Sequence, residues 1–343
     1  MNQYFTVEKN VELESGQKIE NVRIAYRDTG PESGAKVVWV CHALTGDANV
    51  FEWWSGLFGC GQLFDPKEYR VISANILGSC YGSTGPQDYD CPNEFPSITI
   101  RDIVRFHKIL ADELGVERIS ILIGGSIGGQ QALEWACIES DRIEQLILIA
   151  TNAVHSSFGR GFNEVQRLAL KADSTFGLVN GGKAGLKAAR SMAMISYRSY
   201  QDFQLRQKDV DSELESFKAV TYLNYLGEKF VERFHPNAYF ILTKAMDSHN
   251  VARDRGGIEE VLGRITCKTL VIGVDTDLLF PIEEQQLIAN CIPNAEFGVI
   301  KSIHGHDAFL IEYEQLNFLI HEYLFNGFKK FKPTTLKKRT NVK

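Results

Sequence analysis

Short, β-branched apolar runs recur along this chain, separated by stretches whose apolar positions fall at helical spacing. Lys36–Cys41, Tyr69–Ala74, Arg118–Ile123, Gln145–Ala150, Thr269–Gly273 and Ala295–Ile300 read as buried strands. Between them lie amphipathic patterns such as Ile100–Leu110. Strand and helix in alternation predict an α/β fold with a mostly parallel central sheet covered on both faces. Asn21–Tyr26 alternates instead, and predicts an antiparallel strand at the start of that sheet. The alternation breaks between Phe158 and Arg264. That stretch carries the helical patterns Asn163–Leu170, Lys187–Ile195 and Ala238–Met246 but no buried strand. It is expected to form a helical lid over the C-terminal edge of the sheet, where ligand sites of such sheets lie. The expected division is a core in two parts, 1–157 and 265–328, a lid at 158–264, and a basic tail at 329–343 read as a solvated end.

Composition narrows the classes without choosing one. Of 343 residues, 44% are hydrophobic and 23% charged, as in an ordinary globular protein. The net charge of -6 argues against nucleic acid as a partner. No apolar run is long enough for a membrane span, and the first residues lack the basic-then-apolar pattern of a signal peptide. Cys41, Cys60, Cys80, Cys91, Cys137, Cys267 and Cys291 are scattered, with no C-x-x-C pair. Free thiols in a reducing cytoplasm are expected, and no metal site.

The chemistry concentrates at Gly124-Gly125-Ser126-Ile127-Gly128-Gly129. An apolar strand precedes it and a helical pattern, Gln130–Ala136, follows. This is the strand–turn–helix setting of a G-x-S-x-G nucleophile elbow, with glycines where the turn leaves no room for side chains. A serine hydroxyl needs a base, and the base needs a group to orient it. In this kind of fold the chain order is serine, acid, histidine. Two acids, Asp275 and Asp277, follow the strand at Thr269–Gly273. Two histidines, His304 and His306, follow the strand at Ala295–Ile300. His306 comes after Gly305 and opens an apolar helical pattern, Ala308–Ile311, which favours it. The oxyanion of an acyl transfer needs two amide donors. Ile127, next to the serine, supplies one, and Leu44 in the loop after Lys36–Cys41 is the candidate for the other. His42 in that loop is read as a residue whose ring holds the loop in shape.

Taken together, several segments resemble the homoserine O-acetyltransferase family of α/β-hydrolase-fold acyltransferases. They are Ala43–Asp47, Asn75–Pro86, Thr99–Asp102, Gly124–Ala136, Phe162–Arg167, Ala245–His249, Asp277–Pro281 and Gly305–Leu310. They run in order along nearly the whole chain apart from its tail. The resemblance implies an α/β-hydrolase fold, with Ser126 as nucleophile, Asp277 as acid and His306 as base. Asp275 is then left with a structural role, such as capping the loop or helix after its strand. The resemblance also implies that Arg190 and Tyr197 in the lid help hold an amino-acid substrate, and that Asp307 binds its amino group. A guanidinium suits a carboxylate and a carboxylate suits an ammonium. Gln130 and Leu278 depart from the family's usual methionine and aromatic residue, and are candidates for positions near the substrate.

The expected activity is therefore transfer of an acetyl group from acetyl-CoA to L-homoserine through an acyl-serine. The product would be an intermediate towards methionine. No tightly bound cofactor is implied, acetyl-CoA being a co-substrate, and a homodimer is expected by analogy. Three rivals stand beside this reading: a succinyl donor or a serine acceptor in the same family, a serine esterase of the same fold, and a member that only binds a ligand.

Overall fold

A computed structural model of the chain describes residues 1–31, 34–209, 215 and 217–326. The basic tail at 329–343 lies outside the described residues. The strands are β1 (Gln3–Val7), β2 (Val11–Glu12), β3 (Lys18–Ile19), β4 (Val22–Thr29), β5 (Lys36–Cys41) and β6 (Tyr69–Ala74). They continue with β7 (Ile119–Gly125), β8 (Ile143–Ile149), β9 (Lys268–Val274) and β10 (Ala295–Ile300). Eight of them form one sheet in the order β1-β4-β6-β5-β7-β8-β9-β10. β4 pairs antiparallel with both β1 and β6, and every later pairing is parallel. The antiparallel strand expected at the sheet's start is therefore its second strand. The edge is β1, whose Gln3, Tyr4 and Thr6 face water and give little apolar signal.

The expected α/β-hydrolase architecture is what the chain adopts. Side chains of β5 alternate between two buried layers: Trp39 and Cys41 enter one, Val38 and Val40 the other. β8 does the same, with Leu146 and Leu148 opposite Ile147 and Ile149. Both faces are dry, so these strands read as continuous apolar runs. Helices α1 (Val50–Trp53), α2 (Ile100–Glu113) and α3 (Ile127–Glu139) follow β5, β6 and β7. α2 begins where its residues demand. Thr99 Oγ1 accepts the Asp102 amide and the Asp102 carboxylate accepts the Thr99 amide, a reciprocal cap.

Between β8 and β9 come only helices among the described residues: α4 (Ser157–Ala172), α5 (Lys183–Tyr197), α6 (Tyr200–Gln207), α7 (Lys218–Val231), α8 (Pro236–Asp247) and α9 (Ile258–Gly263). Their far end is tied down by charge. Arg253 pairs with Glu14, while Arg255 and Arg101 share the buried Glu134 of α3. Helices α10 (Ile282–Cys291) and α11 (Tyr313–Phe325) complete the chain's second visit to the sheet. Among the described residues no helix is long and apolar enough to cross a membrane.

Candidate active site

The elbow is built by steric necessity. β7 runs through Gly124 and Gly125, two residues beyond the apolar run, and α3 begins at Ile127. Ser126 between them has φ 59° and ψ -128°, a strained conformation for a residue with a side chain. A Cβ on Gly124 would sit 2.2 Å from the Gly128 carbonyl oxygen, and one on Gly128 would sit 2.1 Å from the Cys41 carbonyl oxygen. Both obstacles are backbone, so neither can step aside. The strain is held by hydrogen bonds: the Ser126 amide donates to Ile149 O at 2.9 Å, and Thr151 Oγ1 donates to Ser126 O at 2.8 Å. The hydroxyl is thus presented at the C-terminal edge of the sheet, at the N-terminus of α3, where helix amides favour negative charge.

Asp277 and His306 converge on that hydroxyl. His306 Nε2 lies 2.9 Å from Ser126 Oγ, and its Nδ1 lies 2.7 Å from Asp277 Oδ2. The other Asp277 oxygen accepts the amides of Leu279 and Phe280, each at 2.9 Å, which fixes the carboxylate in place. A carboxylate facing Nδ1 puts the ring proton there and leaves Nε2 free to accept from serine. Burial alone would push the His306 pKa down. The charge and hydrogen bond of Asp277, with Asp307 beyond, outweigh it and raise the pKa above its ordinary value. Phe280 stacks on the imidazole at 5.0 Å between centroids, and Phe309 meets it edge-on at 5.3 Å.

The competing pair takes other positions. Asp275 Oδ1 accepts the Ser302 amide at 3.0 Å, so it ties the loop after β9 to the loop after β10 rather than capping a helix. His304 Nδ1 lies 2.9 Å from Asp202 Oδ1 on α6. Gly305 turns the chain between the two histidines with φ 65°, and a Cβ there would strike the Ser199 amide at 2.7 Å. From Gly305 to Leu310 the backbone is helical, in the tighter 3₁₀ form, three residues ahead of the expected pattern's start at Ala308.

Leu44 and Ile127 border the same site. Leu44 lines the small cavity that holds Ser126 and His306. Neither residue's amide donates to a protein acceptor among the described residues. Behind Leu44, Ile76 N–H donates to His42 Nε2 at 3.0 Å, so His42 Nδ1 carries the proton given to Ala43 O at 2.8 Å. Burial lowers the His42 pKa despite that bond, keeping the ring neutral in a post that shapes the loop.

Helix α5 completes the cavity. Arg190 and Tyr197 of α5 line it, with Asp307 opposite. The Arg190 guanidinium lies 4.9 Å from the Phe230 ring and 5.6 Å from the Tyr197 ring. Its Nη1 is buried without a hydrogen-bond partner among the described residues, an unusual state for a cation. Burial raises the Asp307 pKa, opposed first by Arg198, then by His306 and Arg190. Gln130 and Leu278 do not line this cavity. Gln130 is fully buried, donating to Asn152 Oδ1 at 2.9 Å beside His155, and Leu278 is exposed to solvent.

Three supporting residues escaped the sequence reading. Thr151 holds the serine carbonyl, and Gln131 Nε2 spans His42 O and Ile127 O at 3.3 and 3.1 Å, coupling the two candidate oxyanion segments. Arg198 pairs with Asp307. Each acts across the fold on a residue remote in sequence, so no local pattern marks it.

Comparison with known proteins bears on the fold and the family. The chain matches the α/β hydrolase fold family over residues 36–313. It is 45% identical to a homoserine O-acetyltransferase of Cyclobacterium marinum, over 93% of this chain and 94% of that protein. A crystal structure of homoserine O-acetyltransferase from Staphylococcus aureus is 30% identical, with a TM-score of 0.83, over 96% of this chain and 97% of that one. The crystal structure of esterase E22 superposes as well, with a TM-score of 0.84 over 93% of this chain and 98% of that one, at 20% identity. At that identity the likeness is one of fold.

Proposed function

The chain belongs to the homoserine O-acetyltransferase family of α/β-hydrolase-fold proteins, and from this premise we propose that it moves an acetyl group from acetyl-CoA to L-homoserine through an ester on Ser126. His306 Nε2 takes the Ser126 proton as Oγ attacks the thioester carbonyl. The amides of Leu44 and Ile127 hold the resulting oxyanion. Collapse breaks the C–S bond, and the departing sulfur takes the proton from His306. The hydroxyl of homoserine then gives its proton to His306 while attacking the acetyl ester. Collapse releases O-acetyl-L-homoserine and returns the proton to Ser126 Oγ. Asp277 keeps the imidazole in the required tautomer and steadies its charged form.

The observation that carries an amino-acid acceptor, rather than water, is the charge pattern of the cavity. Arg190, whose buried Nη1 has no hydrogen-bond partner among the described residues, and the acidic Asp307 both line the cavity that holds Ser126. Together they match the carboxylate and ammonium of a zwitterion. Tyr197 packs 5.7 Å from the His306 ring and shapes the wall between them. The helices at 158–264 act as a lid that keeps water from the ester. No tightly bound cofactor takes part. A homodimer is proposed through the lid, where Leu178, Val179, Tyr200, Leu205 and Tyr225 expose apolar surface. Seven free cysteines suit the cytoplasm.

The test follows free thiol after mixing the protein with acetyl-CoA, with and without L-homoserine. Continuous release that requires homoserine supports the proposal. Equal release without an acceptor makes the protein a hydrolase and sinks it. Arms with succinyl-CoA, and with serine in place of homoserine, fix the donor and acceptor.

A further inference from the structure

Asp307 has an electrostatic problem that the reaction does not solve. It lines the cavity with most of its side chain buried, and burial favours the protonated, uncharged form of a carboxylate. Four charged or titratable groups face it: Arg198, His306, Arg190 and Asp277. His306 is neutral while it waits to act as a base. Arg190 lines the cavity, where a substrate carboxylate would engage it. Asp277 repels. Arg198 is the cation that neither substrate nor catalysis takes away.

The geometry of Arg198 fits a standing partner. It sits at the C-terminal end of α5, beside Tyr197, and does not line the cavity. Its Nε lies 3.2 Å from Asp307 Oδ2, yet the N–H is not aimed at that oxygen. The pair is therefore coulombic, and Asp307 accepts no hydrogen bond from the protein among the described residues. Its lone pairs stay open toward the cavity. Arg198 is itself anchored: Nη1 donates to Asp202 Oδ2 at 3.2 Å. Asp202, buried at the start of α6, also accepts from Arg206 Nε at 2.8 Å and faces His304 Nδ1 at 2.9 Å. The loop carrying Asp307 is stitched to the same turn, since Ser199 Oγ donates to Ile303 O. Cations and anions alternate from Arg206 through Asp202 and Arg198 to Asp307.

We propose that Arg198 is a positioning residue for amino-group recognition: locked by Asp202, it fixes a positive charge beside Asp307 and leaves the carboxylate oxygens free for the acceptor's ammonium. This rests on the acyltransfer reading above. It also gives His304, set aside as the base, a place beside Asp202 at the outer end of that network.

The experiment compares the parent protein with Arg198→Gln, Arg198→Lys and Asp202→Asn. Three readouts are taken: the thiol burst from acetyl-CoA alone, kcat/KM for L-homoserine across pH, and kcat/KM for 4-hydroxybutyrate, which lacks the amino group. Arg198→Gln is expected to keep the burst and the 4-hydroxybutyrate activity. It should lose about tenfold in kcat/KM for homoserine near neutral pH, mostly through KM. The deficit should shrink as pH rises and Asp307 ionises without help. Arg198→Lys should recover most of the loss, because the contact is coulombic rather than a bidentate fork, and Asp202→Asn should reproduce the selective deficit. An equal loss on both acceptors, no loss on homoserine, or loss of the burst in both Arg198→Gln and Asp202→Asn overturns the proposal. The parent arm separates the two ideas: a parent that goes on releasing thiol past the first burst without an acceptor, as fast as with homoserine, refutes the acyltransfer reading itself.

Discussion

Replacing Asp277 by Asn separates the geometry of the triad from its charge. The Asn amide has the carboxylate's shape and can sit in its place in two ways. In one, its oxygen keeps the amides of Leu279 and Phe280, and its NH2 faces His306 Nδ1. In the other, the NH2 is pressed against those two N–H donors and leaves both unpaired. Each unpaired buried donor costs about 1–3 kcal/mol, so the flipped form lies roughly 2–6 kcal/mol higher. The first form wins, and with an N–H facing it, Nδ1 must accept. The ring proton then moves to Nε2, 2.9 Å from Ser126 Oγ, where the serine proton needs to go. Forcing the productive tautomer back means paying the flip, so the chemical step should slow by about 10³–10⁴, or ~4–5.5 kcal/mol. The thiol burst on rapid mixing with acetyl-CoA measures that step, and a melting curve should show the fold retained. An Asp277→Asn protein whose burst rate stays within about tenfold of the parent would refute the tautomer argument.

Other outcomes follow from the same geometry. Because the His306 pKa is raised and the neutral ring is the active form, kcat/KM should fall as pH drops, with its acid limb above the ordinary imidazole value of 6.5; a limb below that value contradicts the assigned balance of charges. The sign for stability is opposite: a raised folded pKa stabilises at low pH, and that contribution fades as pH rises through it. Gly128→Ala would drive a Cβ to 2.1 Å from the Cys41 carbonyl oxygen. It should cost about 3 kcal/mol or more in denaturant unfolding and abolish the burst, whereas near-parental stability would mean the turn can open. Arg190→Ala should raise the KM for homoserine by about 10–100-fold while the burst is unchanged, checked by initial rates over a range of acceptor concentrations.

The strands of the parallel sheet were legible because both faces are buried, and Ala295–Ile300 is found with its expected bounds. Where one face meets water the signal faded: β1 and the β2–β3 hairpin carry too few apolar residues to stand out. Glycine hid the end of β7, since Gly124 and Gly125 read as turn but continue the ladder with β8. The serine was legible from its turn. Its partners were legible only as two pairs, because Asp275 and Asp277, like His304 and His306, differ by position within one loop. What separates them is three-dimensional: Gly305 turns the chain so that one histidine meets Ser126 and the other Asp202. The resemblance chose the same pair that the hydrogen bonds bring together. Arg198 had no such signal, for its partners lie on α6 and beyond β10, joined only when the lid packs on the core.

The central claim is that Ser126 carries the acetyl group between donor and acceptor. Intact-protein mass spectrometry after brief mixing with acetyl-CoA, followed by peptide mapping, tests it most directly. One added acetyl group is expected on the peptide holding Ser126, stable for many turnover times in buffer and discharged at once by L-homoserine to give O-acetyl-L-homoserine. No acetyl group on Ser126 under turnover conditions, or an adduct that water removes as fast as homoserine does, would contradict it.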